Sequence, residues 1–288
     1  MVSEMKIKFF GTAAAEGFPA LFCSCATCEK ARNEGGRSLR SRSQSLINDD
    51  LLIDFSADTY HHILTQGLDL RKVKTLLVTH GHDDHIYPYD LVYRTSPVYS
   101  QFPNGGKDKK PLDIYIPRNS AKLLRQCFKA EKIMIKDPKA VKVHYVSKLK
   151  PFETAGYTVT ALKADHTKNL DPVFYMVSKD GKNILYCHDT GYFPEKTWDY
   201  LQNSKIKFDL VSLDCTSAIL DKSYSYHMGL KACHDVRERL IKNGNADKNT
   251  LFCLNHFSHN CGYTYYGLCE IAEKDGFIVA FDGLEIEF

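Results

Sequence analysis

No segment of the 288-residue chain approaches the roughly 20 consecutive apolar residues that cross a bilayer. A helical membrane span is therefore not expected, and no membrane partner. No tract rich in proline, glycine and serine splits the chain, and neither an internal repeat nor a low-complexity run is visible. Charge of one sign is also lacking. Lys and Arg total 38 against 35 Asp and Glu, a net +3, so nothing calls for nucleic acid as an obligate partner. The short basic run Lys107-Asp108-Lys109-Lys110 reads as a solvated loop. Residues 1–10 have neither the long apolar core nor the small-residue cleavage site of a secretory leader. The expected location is the cytoplasm, where unpaired thiols persist. Six of the ten cysteines (Cys127, Cys187, Cys215, Cys233, Cys253 and Cys269) sit among apolar neighbours, as small buried hydrophobes do.

What is present is a regular alternation of elements. Strand-like apolar runs fall at 7–10, 51–54, 75–79, 113–116, 141–146, 157–162, 173–177, 184–188, 210–213 and 251–255. Between them lie helix signals. Asn119 or Ser120 can cap a helix through Leu123, Leu124 and Phe128. Pro194 suits a first turn leading to Trp198 and Leu201. Leu230, Cys233, Val236, Leu240 and Ile241 repeat at helical spacing, with Gly244 as the stop. Periodicity alone gives α/β, and this length suits one domain. Residues 87–111, rich in Tyr, Pro and Gly, read as an insertion. It is either a lid carrying Tyr89, Tyr93, Arg94 and Tyr99 or a structural loop whose aromatics pack on the sheet.

The densest chemical signal is Thr79-His80-Gly81-His82-Asp83-Asp84-His85, directly after the apolar run 74–78. Four metal-ligating side chains crowd together where a strand runs out. His80 and His82 are spaced to converge on one ion, with Asp84 and His85 placed for a neighbour. Imidazole with carboxylate suits zinc, manganese or iron. Later strand ends offer His166, Asp189 in Asp189-Thr190-Gly191, and His256. His188 adjoins Asp189, but neighbours on a strand point to opposite faces, so it is not expected to be a ligand.

Taken in order, His-x-His-x-Asp-His, then His, then Asp-Thr-Gly, then His resembles the metallo-β-lactamase-fold hydrolases. Within them the sequence is most similar to the phosphoribosyl cyclic phosphate phosphodiesterase family of the carbon–phosphorus lyase pathway. Gly17-Phe18-Pro19 with Cys23-Ser24-Cys25-Ala26-Thr27-Cys28 carries that likeness, as do Leu213-Asp214-Cys215 with Tyr226-His227-Met228, and Asn255-His256-Phe257-Ser258-His259. The resemblance implies an α/β fold, the metallo-β-lactamase-like four-layer αββα sandwich, over residues 1–288. It implies two divalent transition metal ions, zinc or manganese. One would take His80, His82 and His166, the other Asp84, His85 and His256, with Asp189 and a hydroxide bridging them. Paired cations of this kind stabilise both the attacking and the leaving oxygen, and they bring bound water to a pKa near 7. Asp84 and Asp189 would thus take part in catalysis as well as in ligation.

His227 lies just before the helix predicted from Gly229, and a histidine stands at the matching position of the family. It is the candidate general acid, since an imidazole carries a proton near neutral pH. Cys23, Cys25 and Cys28 can hold one structural zinc. The resemblance offers His259 as the fourth ligand, and Cys261 and Cys253 compete for that place. Closure of this site would pin an N-terminal loop at about 23–28 to the segment bearing His256.

The expected partner is a small phosphorylated substrate, a cyclic ribose phosphate or cyclic nucleotide, and the resemblance makes a homodimer plausible. The alternatives are a ribonuclease Z-like nuclease, a lactonase or lactamase, and a non-catalytic metal-binding protein resembling the pyrroloquinoline-quinone biosynthesis protein B. In that last family the histidine cluster is depleted, whereas here it is complete.

Overall fold

The computed structural model describes residues 4–103, 110–132, 136–137, 140–220 and 224–288. Residues 104–109 of the expected insertion, and with them most of the basic run at 107–110, lie outside the described residues. The first sheet contains β1 (Lys6–Gly11), β2 (Gln44–Ile47), β3 (Leu51–Ile53), β4 (Thr75–Leu77), β5 (Leu112–Ile116), β6 (Lys136–Asp137) and β7 (Val141–Tyr145). The second contains β8 (Pro151–Thr154), β9 (Tyr157–Lys163), β10 (Val173–Lys179), β11 (Lys182–Cys187), β12 (Leu210–Asp214), β13 (Leu251–Asn255) and β14 (Ile278–Val279). The C-terminal β15 (Glu285–Glu287) returns to the first sheet beside β1, giving the orders β15-β1-β2-β3-β4-β5-β7-β6 and β14-β13-β12-β11-β10-β9-β8.

The central strands are buried on both faces, and their period of two feeds two cores at once. In β3, Leu51 and Ile53 point into the space between the sheets, where they join Tyr175, Tyr186 and Leu210. Leu52 points outward, into a core with Leu124 and Phe128. In β11, Ile184 and Tyr186 face the inter-sheet core. Leu185 and Cys187 face the opposite way, toward Trp198, Val236 and Leu268. Helices α2 (Thr59–Gln66) and α3 (Lys122–Ala130) therefore lie outside the first sheet. Helices α4 (Glu195–Ser204), α5 (Leu230–Lys242) and α6 (Tyr265–Ala272) lie outside the second. The result is the expected four-layer αββα sandwich.

All ten predicted strand runs are found, with ends shifted by one or two residues. The strands not foreseen, β2, β6, β8, β14 and β15, span only two to four residues each, too few for alternation to register. A further helix, α1 (Ala26–Glu34), starts directly after Cys25. Only part of the cysteine segment is therefore loop, because Cys28 rides on the first turn of a helix.

Strand direction positions the site. β3 pairs parallel with β4, and β4 with β5. β11, β12 and β13 also run parallel. β9 and β11 flank β10 antiparallel, so they share one direction. The carboxyl ends of these strands gather at one edge, the usual place for a site in sheets of this kind.

Candidate metal centre

After β4 the chain makes a tight turn, with the amides of His85 and Ile86 both donating to the His82 carbonyl. The turn throws His82, Asp84 and His85 toward one point. Gly81 is required there, because a Cβ would sit 2.6 Å from the Ser120 carbonyl oxygen. His166 follows β9, Asp189 follows β11 and His256 follows β13. Asp189 and His256 adopt left-handed backbone conformations, at φ 54° and 62°. Such strain in non-glycine residues is concentrated at functional sites.

The seven residues converge. The Nε2 of His80 lies 2.8 Å from Nδ1 of His82, and these two with His166 form one group able to hold an ion. Asp84, His85 and His256 form a second such group. Asp189 lies between the groups. Its Oδ2 is 2.9 Å from Nε2 of both His85 and His256, and its Oδ1 is 3.6 Å from Nε2 of His166.

The donor set fits cations. Asp84 Oδ1, His85 Nε2, His166 Nε2, Asp189 Oδ2 and His256 Nε2 are buried and make no hydrogen bond among the described residues. Their close approaches lack hydrogen-bond angles. Five buried polar atoms left unsatisfied at one spot would be costly, and a shared cation removes the cost. Burial works against the Asp189 carboxylate, yet the His256 and His85 rings hold its pKa well below the ordinary range. Burial keeps His80 strongly toward the neutral form that can ligate a metal.

The opposite ring nitrogens are anchored, which orients the lone pairs. Nδ1 of His85 pairs with Asp54 Oδ2 at 2.7 Å. Nδ1 of His166 donates to the Tyr226 carbonyl at 3.1 Å, and Nδ1 of His256 lies 2.9 Å from Thr216 Oγ1. Asp54 also accepts from the amide and hydroxyl of Thr79. Neither Asp54 nor Thr216 was singled out from sequence. Asp54 ends a predicted strand as His166 and Asp189 follow theirs, and that placement was the available signal.

His227 belongs beside this cluster. Its ring lies 4.9 Å from that of His166 and stacks at 5.6 Å on that of His256. Its Nδ1 is 2.9 Å from Asp214 Oδ2 and 3.2 Å from Thr216 Oγ1. Burial disfavours the imidazolium, but the Asp214 carboxylate overcomes it and raises the pKa to about 9. Asp214 is itself fixed by the amides of Asp189, Thr216 and Met228. His188 is engaged elsewhere, against Ser212 and Ser43, as strand alternation predicted.

The thiols of Cys23, Cys25 and Cys28 meet His259, all four ligand atoms lying within 4.8 Å of one another. His259 Nδ1 is 3.6 Å from the Cys23 sulfur and 3.5 Å from that of Cys25. The competing cysteines are placed elsewhere. Cys253 is in the inter-sheet core, and the Cys261 thiol donates to the Tyr263 carbonyl. Hydrogen bonding to His259 lowers the Cys25 pKa to about 6, whereas burial pushes Cys28 up to about 11. The N-terminal loop is tied to the His256 segment independently of any ion. The Phe257 amide donates to the Thr12 carbonyl, the Ala14 amide to the Phe257 carbonyl, and Ser258 Oγ to Glu16.

Within the expected insertion, the described residues 87–103 start beside the metal cluster, and Arg94 lies away from it. Tyr89 packs against Tyr87 near the cluster. Arg94 donates to the carbonyls of Ala140 and Lys110, which precede β7 and β5, at the strand ends opposite His80. Tyr93 and Tyr99 pack together and line a cleft with Ile63 and Val73.

Histidines and aspartates delivered by strand ends to one edge of an αββα sandwich define a metallo-β-lactamase-fold hydrolase centre. The chain belongs to the beta-lactamase superfamily, whose domain model matches residues 50–243. That span carries the site from Asp54 to His227; His256 and the cysteine cluster lie outside it. Among curated relatives, ribonuclease Z of Lactobacillus acidophilus is 28% identical over 165 residues, 56% of this chain and 45% of that protein. The chain thus spans about half the length of the curated relatives it matches. A diphosphatase of the PhnP family superposes over 100% of this chain and 98% of that one, with a TM-score of 0.74 and 20% identity. Zn(2+)-bound PqqB from Methylobacterium extorquens superposes over 98% and 99%, with a TM-score of 0.66 and 17% identity. Among the described residues, no helix is long and apolar enough to cross a membrane.

Proposed function

We propose that the protein is a dinuclear metal-dependent phosphodiesterase that opens a small cyclic phosphate. His80, His82 and His166 would hold one ion, and Asp84, His85 and His256 the other, with Asp189 shared between them. Divalent cations bound there supply Lewis acidity and a water that ionises near neutral pH. Cys23, Cys25, Cys28 and His259 would hold a structural zinc, since a closed tetrahedron of thiolates and imidazole leaves no place for substrate.

The observation that carries the reading is His227. It stands against the cluster outside the two ligand sets proposed above, in a further group with Asp189, Asp214 and His256, and Asp214 holds its Nδ1. Its Nε2 is therefore the nitrogen that can give a proton. Opening a cyclic phosphodiester expels an alkoxide, and protonating that oxygen is worth about 10²–10⁴-fold. A thioester, by contrast, expels a thiolate that needs little protonation.

The second reading is a nuclease, favoured by the sequence similarity to ribonuclease Z. A screen of the metal-reconstituted protein separates the two. Cyclic ribose phosphates and cyclic nucleotides should be opened with higher kcat/KM than lactones, thioesters or a precursor tRNA. Preferred cleavage of the tRNA would replace the first reading with the second. Stoichiometric metal with no hydrolysis of any of them would point to a binding protein.

A further inference from the structure

The side chain next to the proton donor carries a distinct signal. Tyr226 is 51% exposed, yet its backbone is among the most constrained at the site. Its carbonyl accepts from His166 Nδ1. Behind it, the His227 amide donates to the Ser225 carbonyl. The segment is also pressed on Gly191, where a Cβ would lie 2.5 Å from the Tyr224 carbonyl oxygen and 2.7 Å from the Ser225 Cα. Tyr226 holds φ at 68°, a left-handed conformation that is unfavourable for a bulky residue. Its ring, on a half-exposed residue, stands 6.0 Å from the His166 ring and edge-on to it. Core packing does not explain the placement, because Tyr226 belongs to no buried cluster and stays half exposed.

We infer that Tyr226 is a specificity-determining residue whose ring stacks on the planar base of a nucleotide, so that the favoured substrate is a cyclic phosphodiester bearing a nucleobase. The inference rests on the phosphodiesterase reading for the identity of the reaction, though base stacking can be measured without turnover. The Tyr226 ring stands at the border of the cluster, beside His166, within reach of a group attached to a phosphate held there. In a cyclic nucleotide the base hangs from the same ribose that carries the phosphate, so an exposed ring at the border of the cluster can meet it. A π face suits any base, and stacking of a base on an aromatic side chain is worth about 5- to 100-fold in affinity.

The test compares binding of adenosine monophosphate and of ribose 5-phosphate to the metal-loaded protein by calorimetry. The wild type should prefer the base-bearing ligand. Tyr226→Asn, which tolerates positive φ, should lose about 5- to 100-fold on adenosine monophosphate and little on ribose 5-phosphate. Tyr226→Phe should keep the preference. A ratio unchanged in Tyr226→Asn, or an equal loss on both ligands, would overturn the proposal. Tyr226→Trp gives a second measurement that does not depend on the asparagine variant folding. The native tryptophan, Trp198, is buried in the core. An indole at 226 should be quenched by adenosine monophosphate and not by ribose 5-phosphate, and absence of quenching at saturation would also refute stacking. Base-dependent binding without hydrolysis of any cyclic phosphate would leave Tyr226 its role and remove only the phosphodiesterase reading.

Discussion

His227 and Asp214 stand 2.9 Å apart, Nδ1 to Oδ2, with the carboxylate fully buried and the imidazole at the mouth of the site. The aspartate sits at the end of β12, and three backbone amides fix it there. The pair is thereby tied to the strand edge that also delivers Asp189.

Removing the imidazole should separate proton transfer from metal binding. His227→Ala should retain normal metal content and lose about 10²–10⁴-fold on cyclic ribose phosphates. A substrate that expels p-nitrophenolate needs little protonation and should lose much less. Kinetics of both substrates at equal metal loading check this, and equal losses would assign His227 a structural role.

Asp189→Ala should abolish turnover and lower metal occupancy. The carboxylate is the group between the two clusters, within 2.9 Å of His85 and His256. Without it two like charges would face each other unbridged. Metal analysis by mass spectrometry alongside activity tests this, and two full-occupancy ions with normal rates would refute the assignment.

Cys25→Ser should act on stability more than on chemistry. A closed thiolate site contributes folding free energy, and one formed here would clamp residues 23–28, with the start of α1, to the loop bearing His259. About one zinc should be released and Tm should fall, with the other ions largely retained. Unchanged zinc content and Tm would show that these thiols bind no metal.

Gly191→Ala should disturb His227 without touching a ligand. The added methyl would lie 2.5 Å from the Tyr224 carbonyl oxygen, so the 224–227 segment must shift, at about 1–3 kcal/mol of strain. The expected result is a loss of kcat on cyclic phosphates larger than that on p-nitrophenyl esters. A crystal structure of the variant should show the displaced segment.

His62, which is not among the proposed metal ligands, gives the fold a pH dependence of its own. It is buried between Gln44 and Ser41, with Nδ1 2.6 Å from Gln44 Oε1 and Nε2 2.7 Å from Ser41 Oγ. Burial depresses its pKa from 6.5 to about 4, against the pull of Asp58. The unfolded chain therefore binds the proton first. Stability is complete above pH 6.5 and falls as the pH drops from 6.5 toward 4, by up to roughly 3 kcal/mol. In denaturant unfolding, the difference between the wild type and His62→Gln should shrink from pH 8 to pH 4.5. A constant difference would mean that His62 titrates normally.

Much of this protein is legible in one dimension. Apolar runs ending in His, Asp or Asn mark the strand ends, because parallel strands place their carboxyl termini at one edge and a ligand needs a rigid base. His80 to His85, His166, Asp189 and His256 were readable for that reason. His259 came from resemblance, since no spacing rule distinguishes it from Cys261. Tertiary structure decided the rest. Asp54 and Asp214 are single carboxylates whose work depends on which imidazole lies 2.7 or 2.9 Å away, and a distance between strands has no signature in a linear pattern. Helix α1 was hidden because the cysteines flanking its start read as loop ligands. Composition does not place the aromatics and Arg94 of residues 87–103, for aromatics that pack on a sheet and aromatics that cover a site look alike in sequence. Only the folded chain takes Arg94 to the amino ends of β5 and β7 and leaves Tyr226 beside His166.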